Sequence, residues 1–386
     1  MRVRVWAALG LALASLPAGA AEPLRIGMIA SFSGPFADYG REIEAGMKAY
    51  VKLHGDTVAG RKVEVLVRDT TGPLPDVAKR LAQELVVREK VDFLAGFGLT
   101  PEALAVAEIA TQAKKPMIVM NAATSIITAK SPYVARVSMT LAQETAPLGT
   151  WAARNGIKKV YTLVADYGPG IDAENAFKKS FTEAGGQIVD SVRTPLRGPE
   201  FAPFLQRIKY AKPEAVFVFL PAGEQGIAFM KGFTERAMGQ AGIKVIATGD
   251  VTDDHVIDAM GDVALGMITS SHYSAAHDSP ENKAFLEAYA KVSGDLGRAN
   301  FMAVAGFDGM AAIYEVAAKL GGNIDGDKAM AVLKGWKRQS PRGPISIDPE
   351  TRDIVQTVYI RRVEKRGAHY YNVEFEQFPA VKDPAK

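Results

Sequence analysis

Between Lys90 and Thr128 the chain reads KVDFLAGFGLTPEALAVAEIATQAKKPMIVMNAATSIIT, and few folds accommodate such a stretch. The short apolar run Val91–Gly96 ends at a glycine, which suits a strand buried on both faces of a parallel sheet. Thr100-Pro101-Glu102 then predicts a helix start, with Thr100 as the cap, Pro101 at the first helical position and an early acid set against the helix dipole. Val106, Ala110 and Ala113 fall on one face of that helix, and the Lys114-Lys115-Pro116 break ends it. Pro116–Met120 is a second buried strand, followed by the loop Asn121-Ala122-Ala123-Thr124-Ser125. Two such units in succession imply neighbouring parallel strands whose loops emerge together at their carboxyl ends, where open α/β sheets bind ligands. Both loops carry small residues, hydroxyls and free N–H groups, a combination that suits an anion. A carboxylate is therefore expected between Thr100 and Thr124. The competing reading is that the small residues only let helices pack closely on the sheet.

The same alternation runs through the rest of the chain. Residues 23–30 and 62–70 read as strands on either side of a Gly/Pro/Ser loop and a helix over 39–53, with Ile43, Met47, Tyr50 and Val51 on one stripe. A helix over 75–88 completes a β-α-β-α-β-α-β order, the pattern of a doubly wound sheet. From Gln143 the pattern restarts. A helix runs to Asn155, strands fall at 158–168, 186–196, 214–223, 243–250 and 264–274, and helices lie between them at 171–184, 201–211 and 226–238. Helices return at 280–292, 303–320 and 326–336, and a β-rich tail occupies 343–378 around an Arg-Gly-Ala-His turn. The basic group Arg361, Arg362, Lys365 and Arg366 in that tail is expected to be a solvated hairpin face. A chain of 386 residues can build two or three cores, and two α/β sets predict two lobes with a cleft between them.

Arg2 and Arg4 precede an apolar run, Val5–Leu16, and then Pro17-Ala18-Gly19-Ala20, which reads as a secretory signal over 1–20 with cleavage after Ala20. A signal anchor is the alternative, but the run is short for a membrane span. The formal net charge is +3, and loss of those two arginines takes it to +1, which gives no electrostatic case for nucleic acid. With no cysteine in the sequence, disulfides, thiol catalysis, cysteine-ligated metals and a lipid anchor at the cleavage point are excluded. An exported chain without an anchor is retained by a periplasm, so that compartment is expected.

In order along the chain, LRIGMIASFSGPFADYGREIEAGMKAY, the D-x-x-G segment at Asp69–Gly72, the two loops above and LVADYGPGIDAENAFKKSF resemble the Leu/Ile/Val-binding family of periplasmic solute-binding proteins, the receptors of ABC importers. The resemblance covers essentially the whole mature chain, and the order of the segments carries it rather than any single motif. It implies two doubly wound α/β lobes joined by three crossovers, the type I periplasmic binding protein fold, with a hinged ligand cleft between the lobes and no catalysis. The first lobe would comprise 22–141 and 273–346, the second 142–272 and 347–386. The implied partners are a small-molecule carboxylate and an ABC permease in the inner membrane; a monomer is expected, with no cofactor, metal or catalytic residue.

By position, Thr100 falls where the family places a hydroxyl for the ligand carboxylate, and Ala122, Ala123 and Thr124 match its second carboxylate loop. Tyr39 and Tyr167 match aromatic positions on the two sides of the cleft. Asp250 falls where amino-acid binders place an acid for the ligand ammonium, although it could also cap a following helix. Phe97 packs either on a ligand ring or in the core, and Tyr273 is a further candidate ring. The chain departs from the family pattern in three ways: Pro101-Glu102-Ala103 replaces a serine-rich stretch, Ala222 stands where a lid aromatic is found, and the disulfide cysteines of some members are absent. The altered pocket resembles the branch that takes aromatic carboxylates such as benzoate or cinnamate derivatives, while a branched-chain amino acid remains the alternative ligand and a ligand-sensing receptor without a transport role the alternative function. An enzyme is disfavoured. Pro101 stands where a dinucleotide loop beginning Gly96-Phe97-Gly98 needs its third glycine, no G-x-S-x-G elbow or Gly-Lys dipeptide occurs, and the five histidines are dispersed.

Overall fold

The computed structural model describes residues 21–386, so the signal expected over 1–20 lies outside the described residues. β1 (Leu24–Ala30) is buried along nearly its whole length and leads through a short loop into α1 (Ala37–His54). There follow β2 (Thr57–Val58), β3 (Arg61–Asp69), α2 (Pro75–Val87), β4 (Phe93–Gly96), α3 (Thr100–Ala113), β5 (Met117–Val119) and β6 (Val134–Arg136). β1 pairs in parallel with β3 on one side and β4 on the other, in a sheet of order β2-β3-β1-β4-β5-β6. The winding direction reverses between β1 and β4, and the loops after those two strands open a crevice at the carboxyl end of the sheet.

A first passage at 137–140 leads to α4 (Leu141–Arg154), whose cap residue Thr140 accepts from the Gln143 N–H at 3.1 Å. The second sheet is built from β7 (Lys159–Ala165), α5 (Gly168–Glu183), β8 (Gln187–Thr194), α6 (Phe201–Ala211), β9 (Ala215–Phe219), α7 (Glu224–Glu235), β10 (Lys244–Thr248), α8 (Ile257–Met260) and β11 (Ile268–Ser271). Its parallel strands run β8-β7-β9-β10-β11. The chain then returns, and α9 (Pro280–Ala290), α10 (Phe301–Lys319) and α11 (Gly326–Leu333) pack on elements of the first sheet, α10 most extensively on α1. A third passage enters β12 (Lys337–Ser340) and β13 (Gly343–Ile347), after which β14 (Ile354–Arg366) and β15 (His369–Val381) close the chain. β14 runs antiparallel to β11, and β12, β13 and β15 extend that edge to make a nine-stranded sheet.

The two α/β sets of the sequence are therefore of unequal size. β12 has no apolar alternation to announce it and exists by pairing with β13. The boundary expected at 346 falls inside β13, which hydrogen-bonds into the nine-stranded sheet. The basic face needs a correction: Arg362, Lys365 and Arg366 are exposed, but Arg361 is 2% exposed. β14 is covered on both faces at that point, with Ile360 and Val363 also buried, so the Arg361 guanidinium bonds inward, to the Tyr273 carbonyl at 2.5 Å and to Thr269 Oγ1 at 3.1 Å.

α1 and α10 meet backbone to backbone. A Cβ on Gly46 would stand 1.8 Å from the Ala303 carbonyl oxygen, and one on Gly306 would stand 2.1 Å from that of Ile43. Neither obstacle is a side chain that can turn away, so the helices would have to separate. Gly46→Ala is expected to destabilise the fold by about 1–3 kcal/mol, read as a lowered midpoint in urea at unchanged slope. A midpoint equal to wild type would mean that the contact gives way freely.

Candidate functional site

The loop after β4 is shaped by two residues in the left-handed region, Gly96 at φ 99° and Phe97 at φ 64°. A Cβ at Gly96 would lie 2.6 Å from the Ile29 carbonyl, which also accepts from the Phe97 N–H at 2.7 Å. The Phe97 carbonyl accepts from the Ala122 N–H at 2.9 Å, and Asn121 Nδ2 donates to the Gly98 carbonyl at 2.7 Å. These bonds hold the β4 and β5 loops side by side. The Phe97 ring is fully buried, in the same apolar cluster as Tyr39, Ala122, Ala123 and Ala222.

Thr100 is the first helical residue of α3 and not its cap; Leu99 holds the cap position in extended conformation. Glu102 takes over the capping role, its Oε2 accepting from the Leu99 N–H at 3.1 Å. The Thr100 hydroxyl is thereby left to meet Thr124 Oγ1 at 3.1 Å. Glu102 Oε1 accepts from Ser31 Oγ at 3.1 Å and from Thr70 Oγ1, which ties the ends of β1 and β3 to the start of α3. Burial pushes the Glu102 carboxyl up to about 7, against the lowering effect of the bonds from Thr70, Leu99 and Ser31.

Ala122, Ala123 and Thr124 are all buried. The Thr124 carbonyl accepts from Arg136 Nη2 at 2.6 Å, and the same guanidinium reaches the Met139 carbonyl at 3.3 Å and stands 3.5 Å from Asp353. From the second sheet, the first turn of α5 comes directly against this loop. A Cβ on Gly168 would be 2.3 Å from Thr124 Oγ1, and the Ser125 N–H donates to Asp172 Oδ2 at 2.9 Å. Tyr167, just ahead of α5, stacks on Phe219 with ring centres 6.0 Å apart. Tyr39, on the first turn of α1, lies over Gly98 and donates its hydroxyl to the Ala222 carbonyl at 3.3 Å. Here again the two sheets' loops touch.

Asp250 is 7% exposed in the turn after β10. It caps nothing, since α8 starts only at Ile257. Burial and the neighbouring Glu144 charge push its carboxyl up to about 7. The phenols of Tyr39 and Tyr167 are held above their ordinary range, first by burial and then by nearby charge, that of Asp250 included. Thr100, Thr124, Tyr39, Tyr167 and Asp250 are thus assembled where the loops of the two sheets meet, with Ala222 on the rim. Tyr273 is elsewhere: fully buried, its hydroxyl donates to Asn282 Oδ1 at 3.0 Å at the passage into α9. At one side of the assembly, two hydroxyls and the start of a helix can donate to an anion. At the other, a buried carboxyl that titrates near neutrality can accept from a hydroxyl or an ammonium.

Sequence reasoning missed Arg136, Glu102 and Asp172. Arg136 left a signal in the sequence, as a single cation in the apolar run Val134-Ala135-Arg136-Val137, where an interior charge must find partners. Glu102 left none beyond a first-turn acid, which helices carry as a matter of course, and Asp172 left none because acids are common on helix surfaces.

A family model described as "Periplasmic binding protein" matches residues 23–368. In structure, the chain is similar to a solute-binding protein of an ABC transporter from Rhodopseudomonas palustris BisB5 in complex with 3,4-dihydroxybenzoic acid. That protein is 56% identical, with a TM-score of 0.90 over 94% of this chain and 99% of the other. A second solute-binding protein, from Rhodopseudomonas palustris HaA2 in complex with p-hydroxybenzoic acid, is 46% identical with a TM-score of 0.92 over the same shares. In sequence, the chain is 46% identical over 377 residues to the Leu/Ile/Val-binding protein homolog 6 of Brucella melitensis, covering 97% of each.

The Glu102 carboxyl makes a prediction about stability. Its raised pKa means that the folded chain binds the proton more tightly than the unfolded one. That contribution is complete below the ordinary carboxyl range and is lost as pH rises through about 7. Glu102→Gln holds the site neutral at every pH. The stability of the variant relative to wild type should therefore increase by roughly 1–3 kcal/mol between acid and mildly alkaline pH, read from denaturation midpoints. A difference that does not change with pH would rule this out.

Proposed function

The chain belongs to the periplasmic binding protein family and is the solute-binding component of an ABC transporter, and from that premise we propose that its cleft captures an aromatic carboxylate of the hydroxybenzoate class. The observation that carries this reading is the 3.1 Å pair of Thr100 and Thr124 hydroxyls, set against the first turn of α5. The ligand carboxylate takes its hydrogen bonds from these hydroxyls, and a ring hydroxyl donates to Asp250. Tyr39 and Tyr167 flank the ring. Ala222 adds no ring of its own to the rim and leaves width for a flat ligand. The two Rhodopseudomonas proteins, which hold hydroxylated benzoates, support the same class.

A branched-chain amino acid is the second reading, favoured by the Brucella relative's name. In that case Asp250 receives the ammonium. A thermal-shift panel of leucine, isoleucine, valine, benzoate, 4-hydroxybenzoate, 3,4-dihydroxybenzoate and coumarate separates the two. A ligand at ~100 times its Kd adds about 2.7 kcal/mol of stability. The hydroxybenzoates are expected to raise the midpoint most; a shift with leucine or valine and none with any aromatic acid would make Asp250 an ammonium site. Within the preferred reading, Thr100→Val should weaken 4-hydroxybenzoate binding by about 1–3 kcal/mol in calorimetry, through loss of a charge-assisted bond.

Family and neighbours are binding proteins of transporters rather than enzymes, and they place the chain's work in the periplasm with a permease as partner. The chain is exported by cleavage after Ala20 without a lipid anchor and acts as a monomer. The lobe built on the first sheet closes on the lobe built on the second, which carries β12 and β13, around the ligand, and the ligand favours the closed form.

A further inference from the structure

Next to Tyr39 the two sides of the cleft meet through acids that the ligand reading leaves unused. Glu42 comes from α1 and Asp253 from the loop after β10, and they are 2% and 3% exposed. Both reach a single amide. Asn300 Nδ2 donates to Glu42 Oε2 at 2.7 Å and to Asp253 Oδ2 at 2.9 Å, while Asn300 Oδ1 caps α10 by accepting from the Met302 and Ala303 N–H groups. Glu42 Oε1 has no hydrogen-bond partner, and Glu42 and Asp253 line a cavity of ≈ 260 Å³ together with Tyr39, Ala222, His255 and Asn300.

The cations around the pair offset its charge only in part, Arg41 acting on Glu42 and His255 on Asp253 against the larger effect of burial. On α1, Arg41 is occupied by Asp38 at 3.3 Å and by Asp295 at 2.5 Å. From the loop after β10, His255 Nδ1 donates to the Leu296 carbonyl at 2.7 Å and stands 3.4 Å from Glu42 Oε1, and its Nε2 is 3.6 Å from Asp38. The His255 N–H donates to Asp253 Oδ1 at 2.7 Å. Asp254 lies beside Asp253, Tyr289 faces Glu42 from α9, and Arg361 on β14 acts on Asp253 only through space. One neutral amide therefore supplies a hydrogen to each of two buried carboxyls, and two ionised carboxylates at that spacing repel.

We propose that the Glu42–Asn300–Asp253 bridge is a proton-linked latch: closing the cleft brings the two carboxyls onto one amide and the pair takes up a proton, so the closed, ligand-holding state weakens as pH rises. Burial pushes both carboxyls up, Asp253 to about 7, with each other's charge or that of Asp254 adding to it. A group whose pKa is raised in the closed state gives closure its full help below the ordinary carboxyl range and withdraws it on the way up to about 7, after which the cost is constant. The latch rests on closure of the cleft and not on the identity of the ligand.

With 4-hydroxybenzoate as probe, calorimetry in buffers of different ionisation enthalpy should show close to one proton taken up per ligand bound near pH 6. Kd should rise by up to roughly tenfold per unit between about pH 5 and 7 and level off above. Glu42→Gln and Asp253→Asn should each flatten that dependence. Wild type with no proton uptake overturns the latch, and so does uptake that persists unchanged in both variants, which would assign the proton to Asp250 and Glu144 instead. Scattering of the ligand-free wild-type protein supplies a readout that needs no ligand and no variant. Its radius of gyration should be smaller near pH 5 than near pH 8, and a radius indifferent to pH overturns the latch even if 4-hydroxybenzoate proves not to bind.

Discussion

A guanidinium taken out of water must spend its donors on something, and Arg136, Arg342 and Arg361, among the largest side chains of the interior, spend theirs on the segments that pass between the two sheets. Arg136 donates to the Thr124 and Met139 carbonyls. Arg342 donates to those of Val137 and Ser138 and pairs with Asp308 at 3.0 Å. Arg361 donates to that of Tyr273. The passages at 137–140 and 272–274 have no neighbouring strand to satisfy their carbonyls, and planar, multi-donor side chains do so in its place. Connections held in this way have a defined course without being part of either sheet, which suits chain that must bend while the sheets stay rigid.

The loops after β4 and β5 are held by bonds of the same kind. Arg136 fixes the Thr124 carbonyl, and with it the direction of the Thr124 hydroxyl toward Thr100. Glu102 does the corresponding work on the other loop, where it relieves Thr100 of capping duty and binds the ends of β1 and β3 to the start of α3. A hydroxyl pair in a cleft is a weak device alone. Here buried charge holds it from both sides.

Much of this was legible in the sequence for a physical reason. Parallel strands buried on both faces read as apolar runs, and PMIVM and VDFLAG could not be much else. The loops that follow such strands lie at one end of the sheet by geometry, so Thr100 and Thr124 could be brought together without a structure. What stayed hidden depends on tertiary partners. The Thr100 cap was misplaced because the helix begins one residue earlier than expected, with Leu99 at the cap and Glu102, three residues after it, accepting from the Leu99 N–H. Arg361 was misread because its burial is set by strands on both sides of β14, one of them nearly a hundred residues away in sequence. Phe97 was undecided because nothing local records which way a residue with positive φ turns its side chain. The lobe into which β12 and β13 pair depends on β14, and periodicity does not report partners.

The backbone contact between α1 and α10 has a mechanical consequence. Two helices seated at a glycine on each side cannot slide without a steric collision, so they move as one stiff plank. Tyr39 and Glu42 ride on the first turns of one helix, and Asn300 sits at the head of the other. The Tyr39 hydroxyl bond to the Ala222 carbonyl and the amide bridge to Asp253 are therefore two teeth on the same jaw. Displacement of either tooth is transmitted to the other at the cost of bending a helix pair rather than rotating a side chain, and the cleft engages at both points together or at neither.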